Sequence, residues 1–350
     1  MPLKTTTIGA YPKPSYVPTP NTFHEEGPGT HSPTQAYSAY LKSLPDNIEE
    51  ILDRATTEVV QAQVDYGIDI PTDGEVRREN YIHYQCRQFD GFDFDTLTEK
   101  AARNGAWVAQ LPTIVAPIAF RVPLLPRDYR VAQAATDLPV KITIPGPLTI
   151  TDSTADAFYN DDAKLGADLA AALNQEILAL AEVGCQHIQI DEPVFARRPQ
   201  DALAFGFDNL ERCWANVPDH VTRTVHMCCG YPDELDQADF MKADRNAYHW
   251  LAEGIEQSSI EAISLEDAYE HNDLRLLEVF KTTTVIFGAV GIARSRIETV
   301  EEIQERLNAA LDHIDADRLM VAPDCGLNML SPAMIEGKLR NMAIAAKGVG

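Results

Sequence analysis

The sequence predicts an α/β protein folded as a single-domain (β/α)8 TIM barrel, and three observations lead there. Eight short runs rich in Val, Ile and Thr recur along the chain, and helical patterns separate most of them. Such alternation implies parallel strands joined by helical crossovers, and eight strands is the number that closes a barrel. No Gly-rich dinucleotide fingerprint follows the first run, which counts against the rival open doubly wound sheet. At 350 residues and 45% hydrophobic content the chain can bury one large core, although that length also accommodates two or three smaller domains.

The runs fall at 5–10 (TTTIGA), 67–73 (GIDIPTD), 140–146 (VKITIPG), 187–192 (HIQIDE), 222–228 (TRTVHMC), 261–266 (EAISLE), 283–289 (TTVIFGA) and 318–324 (RLMVAPD). After the first run, Ile48, Ile51, Leu52, Ala55, Val59 and Ala62 share one helical face, with Asp46 and Glu49 spaced as a capping box. Further helical patterns cover 161–184, 200–215, 243–256, 272–280, 298–313 and 331–347. The proline-rich stretch 11–45 and the span 76–138 hold no clear βα unit. They read as an N-terminal loop and as an insertion after strand 2, near the barrel mouth. No internal repeat or low-complexity tract is present.

A formal charge of −24 excludes nucleic acid and anionic membrane surfaces as natural partners, and leaves a small-molecule substrate. No stretch approaches the roughly 18–20 apolar residues of a membrane span, and the N-terminus lacks the regions of a signal peptide. A cytoplasmic location is expected. The six cysteines are sparse and irregular, which in a reducing compartment reads as free thiols or metal ligands.

Barrel active sites gather where strands end, because the following loops converge on one rim. Glu75 follows the second strand; Asp191 and Glu192 end the fourth, His226 and Cys228 the fifth, Glu266 the sixth and Cys325 the eighth. His226 and Cys228 are two apart, so on a strand both point to one face while Cys229 points to the other. With Glu266 and Cys325 they make a set of imidazole, two thiolates and carboxylate that suits tetrahedral Zn2+. Taken singly, a strand cysteine is a small buried hydrophobe and Glu266 a loop carboxylate. Four such residues at one end of three strands argue for the metal.

The motifs TTTIGAYPKP (5–14), GIDIPTDGEVRREN (67–80) with FDGFDF (89–94), KITIPGPLTI (141–150), IQIDEP (188–193), VHMCC (225–229), ISLED (263–267) and VAPDCGL (321–327) resemble the cobalamin-independent methionine synthases. The likeness is to their catalytic C-terminal half and covers nearly the whole chain. It implies a barrel whose zinc, held by His226, Cys228, Glu266 and Cys325, activates the thiol of homocysteine for methylation to methionine. A free thiol titrates at about 8.5, and coordination to zinc removes its proton at neutral pH. The resemblance assigns Glu75 and Asp191 to catalysis and to binding the amino acid. Two carboxylates on one rim suit an ammonium group, the alternative being that Asp191 caps a helix or supports a metal ligand. Ile8 and Gly9 would meet the substrate carboxylate by their backbone, with Ala10 where the family has serine.

The family's full-length members carry a second barrel, for which 350 residues leave no room. Ser153 stands where the family has a tryptophan that stacks on folate, and Ala293 where it has a proton-transferring histidine. Methylfolate needs its leaving amine protonated, and a general acid is typically worth about 10²–10⁴-fold, so the expected donor is another, such as a methylcorrinoid protein. Two alternatives stand beside homocysteine methylation. One is an epoxyalkane:coenzyme M transferase-like reaction, with Arg294 and Arg296 receiving a sulfonate. The other is a non-catalytic barrel with structural zinc.

Overall fold

Runs of β-branched residues buried on both faces become parallel strands in the computed structural model, which describes residues 2–19, 41–102, 107–232, 234–238 and 240–349. Most of the predicted N-terminal loop, 20–40, lies outside the described residues. The strands in chain order are β1 Lys4–Thr5, β2 Phe89–Ala102, β3 Trp107–Phe120, β4 Lys141–Pro145, β5 Ala155–Asp156, β6 His187–Asp191, β7 Thr222–Met227, β8 Ala262–Glu266, β9 Thr284–Val290 and β10 Leu319–Pro323. Seven form one curled parallel sheet in the order β1-β10-β9-β8-β7-β6-β4.

The second predicted strand, 67–73, appears as two isolated parallel bridges, Thr6 with Ile70 and Thr72 with Lys141. Ile70 N donates to Thr5 O at 3.0 Å, and Lys141 N donates to Pro71 O at 2.8 Å, so this segment touches both edge strands of the sheet. A longer ladder is blocked. Pro71 has no N–H, and the Thr72 N–H is taken by the buried Gln63 side chain at 3.0 Å.

Alternation along the strands sorts two layers. Ile142, Ile144, Ile188, Ile190, Val225, Ile263 and Val285 belong to the main apolar core, which also takes in the buried faces of the helices. A second small cluster comprises Ile8, Ala262, Ile286 and Ala322. Polar residues alternate with the core set on the same strands: Lys141 and Thr143, Gln189 and Asp191, Thr224 and His226, Ser264 and Glu266, all buried.

The helices depart from expectation in three places. The helix Ile48–Asp65 starts after Asn47 with no side-chain cap, so the Asp46–Glu49 capping box does not form. Glu49 instead accepts from Arg77 at 2.7 Å and Arg127 at 2.9 Å, two charge-assisted bonds that outcompete a cap. The pattern at 200–215 passes from the short helix Pro199–Asp201 through a π-turn, Ala202–Gly206, into the helix Phe207–Cys213. That at 272–280 is a 3-10 helix, Leu274–Val279. The insertion is the largest addition: a short helix His83–Cys86, the long antiparallel hairpin β2–β3, and a helix Leu125–Gln133, with β5 extending the hairpin to a three-stranded sheet. No helix among the described residues is long and apolar enough to cross a membrane.

Candidate metal centre and amino-acid cavity

β7 carries His226 to its C-terminal end in register with Asp191 of β6, and Cys228 follows one residue beyond the strand. Cys325 comes two residues past β10. The ligand atoms of His226, Cys228 and Cys325 all lie within 4.8 Å of one another. Cys325 Sγ is 3.5 Å from His226 Nε2 and 3.8 Å from Cys228 Sγ. Ser264 Oγ, 3.0 Å from Nδ1, occupies the other ring nitrogen and leaves Nε2 facing the sulfurs. The hydrogen bond between the sulfurs, aided by His226, pulls the Cys228 thiol well below its ordinary value and pushes Cys325 well above. One imidazole nitrogen and two sulfurs in this arrangement fit a borderline-soft divalent cation.

Glu266, the fourth predicted ligand, ends β8 beside this group but is not gathered into it. Its carboxylate accepts from Lys242 Nζ at 2.7 Å, and both side chains are largely buried. Lys242 also lies 4.1 Å from the centroid of the Tyr269 ring.

A cavity of about 120 Å³ opens over the cluster, and its walls include Ile8, Gly9, Ala10, Glu75, Asp191, His226, Cys228 and Cys325. Every other predicted site residue therefore meets in one place. Glu75 has a left-handed backbone, φ 56°, unusual for a residue with a side chain. Its Oε1 accepts from Thr143 Oγ1 at 2.8 Å and lies 3.6 Å from Arg78. Gly9 lets this carboxylate approach closely, since a Cβ there would come within 2.5 Å of Glu75 Oε1 and displace it. Asp191 is raised to about 7 by burial and by Glu75, against the pull of His226 and the Gln189 amide.

Among the lining side chains that were not foreseen are Tyr81, Arg197 and Tyr231. Each sits a few residues beyond a motif, on a loop or short helix where periodicity carries no signal. Arg197 and Gly230 also border a neighbouring cavity of about 280 Å³. Ser153 and Ala293 line neither cavity. Arg296 is paired with Glu302 at 2.9 Å, and Arg294 lies 5.0 Å from the Tyr269 ring centroid.

The family model described as "Cobalamin-independent synthase, Catalytic domain" matches residues 3–348. The chain belongs to the cobalamin-independent methionine synthase family. As a member it is a methyltransferase. A methionine synthase of Saccharolobus solfataricus is 28% identical to it over 99% of this chain and 95% of the relative. That of Sulfolobus acidocaldarius is 27% identical over 97% and 90%. Among solved structures, a B12-independent methionine synthase from Shewanella sp. W3-18-1, in complex with selenomethionine, superposes with a TM-score of 0.86 at 29% identity, covering 99% of this chain and 97% of that one.

Two further carboxylates brace this methionine synthase family site from behind. Glu192 accepts from Leu148 N, Thr149 N and Thr149 Oγ1 at 2.9, 3.0 and 2.7 Å, so it caps the helix Pro147–Asp152. Asp324, next to Cys325, accepts from the backbone of Asp267, Ala268 and Tyr269 at 2.8–2.9 Å and fixes the loop after β8. Burial raises both to about 8.

Proposed function

We propose that the protein methylates the thiol of homocysteine to give methionine, with zinc as its resident ion. The observation that carries this reading is a single small cavity bordered on one side by a His-Cys-Cys group and on another by two buried carboxylates. His226, Cys228 and Cys325 would hold the ion, with Glu266 completing the set, and the ion when bound would lower the pKa of an incoming thiol. Glu75 and Asp191 receive the substrate ammonium, and Ile8, Gly9 and Ala10 line the same cavity beside them. An ammonium between two carboxylates resolves their mutual repulsion, which is the physical reason for both being there. In the transfer a sulfur–carbon bond forms, the donor's bond to the methyl breaks, and the thiol proton is released.

The whole chain is read as one (β/α)8 domain, 70–72 serving as its second strand and closing the sheet between β1 and β4. With serine at 153 and alanine at 293 the family's stacking ring and proton-transferring histidine are missing from those two positions, which favours a donor whose leaving group needs no proton, such as a methylcorrinoid protein. The adjoining cavity shares Arg197 and Gly230 with the site. Coenzyme M is the weaker substrate, since Arg296 is already committed to Glu302.

The purified protein should contain about one zinc per chain and form methionine from homocysteine with methylcobalamin but slowly with methylfolate. Cys325→Ser should lose metal and turnover together. Metal content measured by atomic absorption, and found unchanged in that variant, would overturn the metal assignment; rapid turnover with methylfolate would overturn the donor.

A further inference from the structure

Beneath the carboxylates lies a polar pair for which the reading above has no use. β4 and β6 run in register, Thr143 opposite Gln189 and Pro145 opposite Asp191. From this pair of strands Lys141 Nζ donates to Gln189 Oε1 at 2.6 Å. The Gln189 amide then donates twice, to Asp191 Oδ1 at 2.7 Å and to Ile8 O at 2.8 Å. Lys141 is 2% exposed and Gln189 fully buried. Among the described residues no carboxylate lies within ion-pair distance of the Lys141 ammonium.

A buried ammonium without an ion pair is expensive, and a Met of equal length would fill the space at lower cost. Its chemistry explains its presence. A carboxamide presents oxygen on one side and NH2 on the other, and the two orientations have nearly the same shape. An ammonium only donates, while a carboxylate and a carbonyl only accept. Burial lowers Lys141 to about 7, but the Ile8 carbonyl can only accept, so Lys141 and Ile8 together turn the amide oxygen toward Lys141 and its NH2 toward Asp191 and Ile8. Reversed, it would set its oxygen against the Ile8 carbonyl.

We propose that Lys141, acting through Gln189, is a positioning residue for amine recognition: the pair aims the Asp191 carboxylate at the substrate ammonium and anchors it to the Ile8 backbone. This rests on the reading of Asp191 as an ammonium receptor. Neither Lys141 nor Gln189 touches substrate; they hold still the groups that do.

The test compares two thiols on the zinc-loaded protein by titration calorimetry: L-homocysteine, and 4-sulfanylbutanoate, which has the same thiol and carboxylate without the amine. Lys141→Met and Gln189→Met should each reduce the preference for homocysteine by about tenfold or more while leaving the affinity for 4-sulfanylbutanoate within about threefold. Equal losses for both thiols, or an unchanged preference, would overturn the positioning role, because a merely structural contact has no reason to distinguish them. Should Lys141→Met fail to fold, the Gln189→Met comparison decides alone. Wild-type protein that binds both thiols equally would instead remove the ammonium reading itself, and this proposal with it.

Discussion

Among single residues, Asp191 sets the clearest expectation. Burial and the neighbouring Glu75 raise it to about 7, so near neutrality a large part of the free protein carries it protonated. An ammonium ligand demands the ionised form. Ionisation of the bound thiol makes homocysteine affinity rise with pH up to about 8.5, and Asp191 should steepen the fall below about 7 by up to about a further tenfold per pH unit. Asp191→Asn should bind weakly and keep only the shallower pH dependence of the thiol, without the added break near 7. The stability linkage has its own sign: a carboxylate raised on folding stabilises at low pH, and that contribution fades as pH rises through 7. Calorimetric titrations of homocysteine between pH 5.5 and 8.5 check the first point; an affinity that rises toward acid would reverse the assignment. How far such residues can be read from sequence depends on their surroundings. His226, Cys228 and Cys325 were legible because soft ligands at strand ends have few other uses. Lys141 and Gln189 were not, since a strand lysine ordinarily reads as a solvated edge. Yet KITIP and HIQID each place a polar residue at every second position between isoleucines. On parallel strands, buried on both faces, that alternation marks polar groups inside the protein.

Among elements, the turn from β4 into the helix Pro147–Asp152 depends on a carboxylate supplied by a different strand end. A six-residue helix has little stability of its own, and its first N–H groups have no partners within it. Glu192 provides them, through three hydrogen bonds to Leu148 and Thr149. Glu192→Ala should lower stability by about 2–4 kcal/mol, since it leaves buried donors unsatisfied and opens a cavity. Chemical denaturation followed by tryptophan fluorescence would measure it, and a loss under about 0.5 kcal/mol would mean water takes over the cap. The strand positions were legible from their β-branched runs, but the hairpin β2–β3 was not. Its opening FDGFDFD alternates apolar and acidic residues, the signature of a half-exposed antiparallel strand. The regular βα rhythm on either side carries no signal for an antiparallel hairpin between its units.

For the whole molecule, net charge is the property that packing does not resolve. With 53 acidic against 29 basic residues, like-charge pairs outnumber opposite ones over the surface. The ion pairs present do not offset this, because exposed examples such as Arg54–Glu58 are each worth about 0–1 kcal/mol and are screened by the same salt that screens repulsion. Unfolding moves the charges apart, so self-repulsion favours the unfolded chain and its screening favours the fold. The melting midpoint should therefore rise with sodium chloride from about 10 mM. Most of the gain should come before about 0.15 M, where the screening length reaches about 8 Å, with a shallower climb toward about 1 M as it falls to about 3 Å. Choline chloride at equal ionic strength should act alike if screening is the cause, whereas a rise confined to sodium would point to bound cations. Calorimetric melting in both salts separates the two, and a midpoint that falls with either would show that attractive pairs dominate the surface after all.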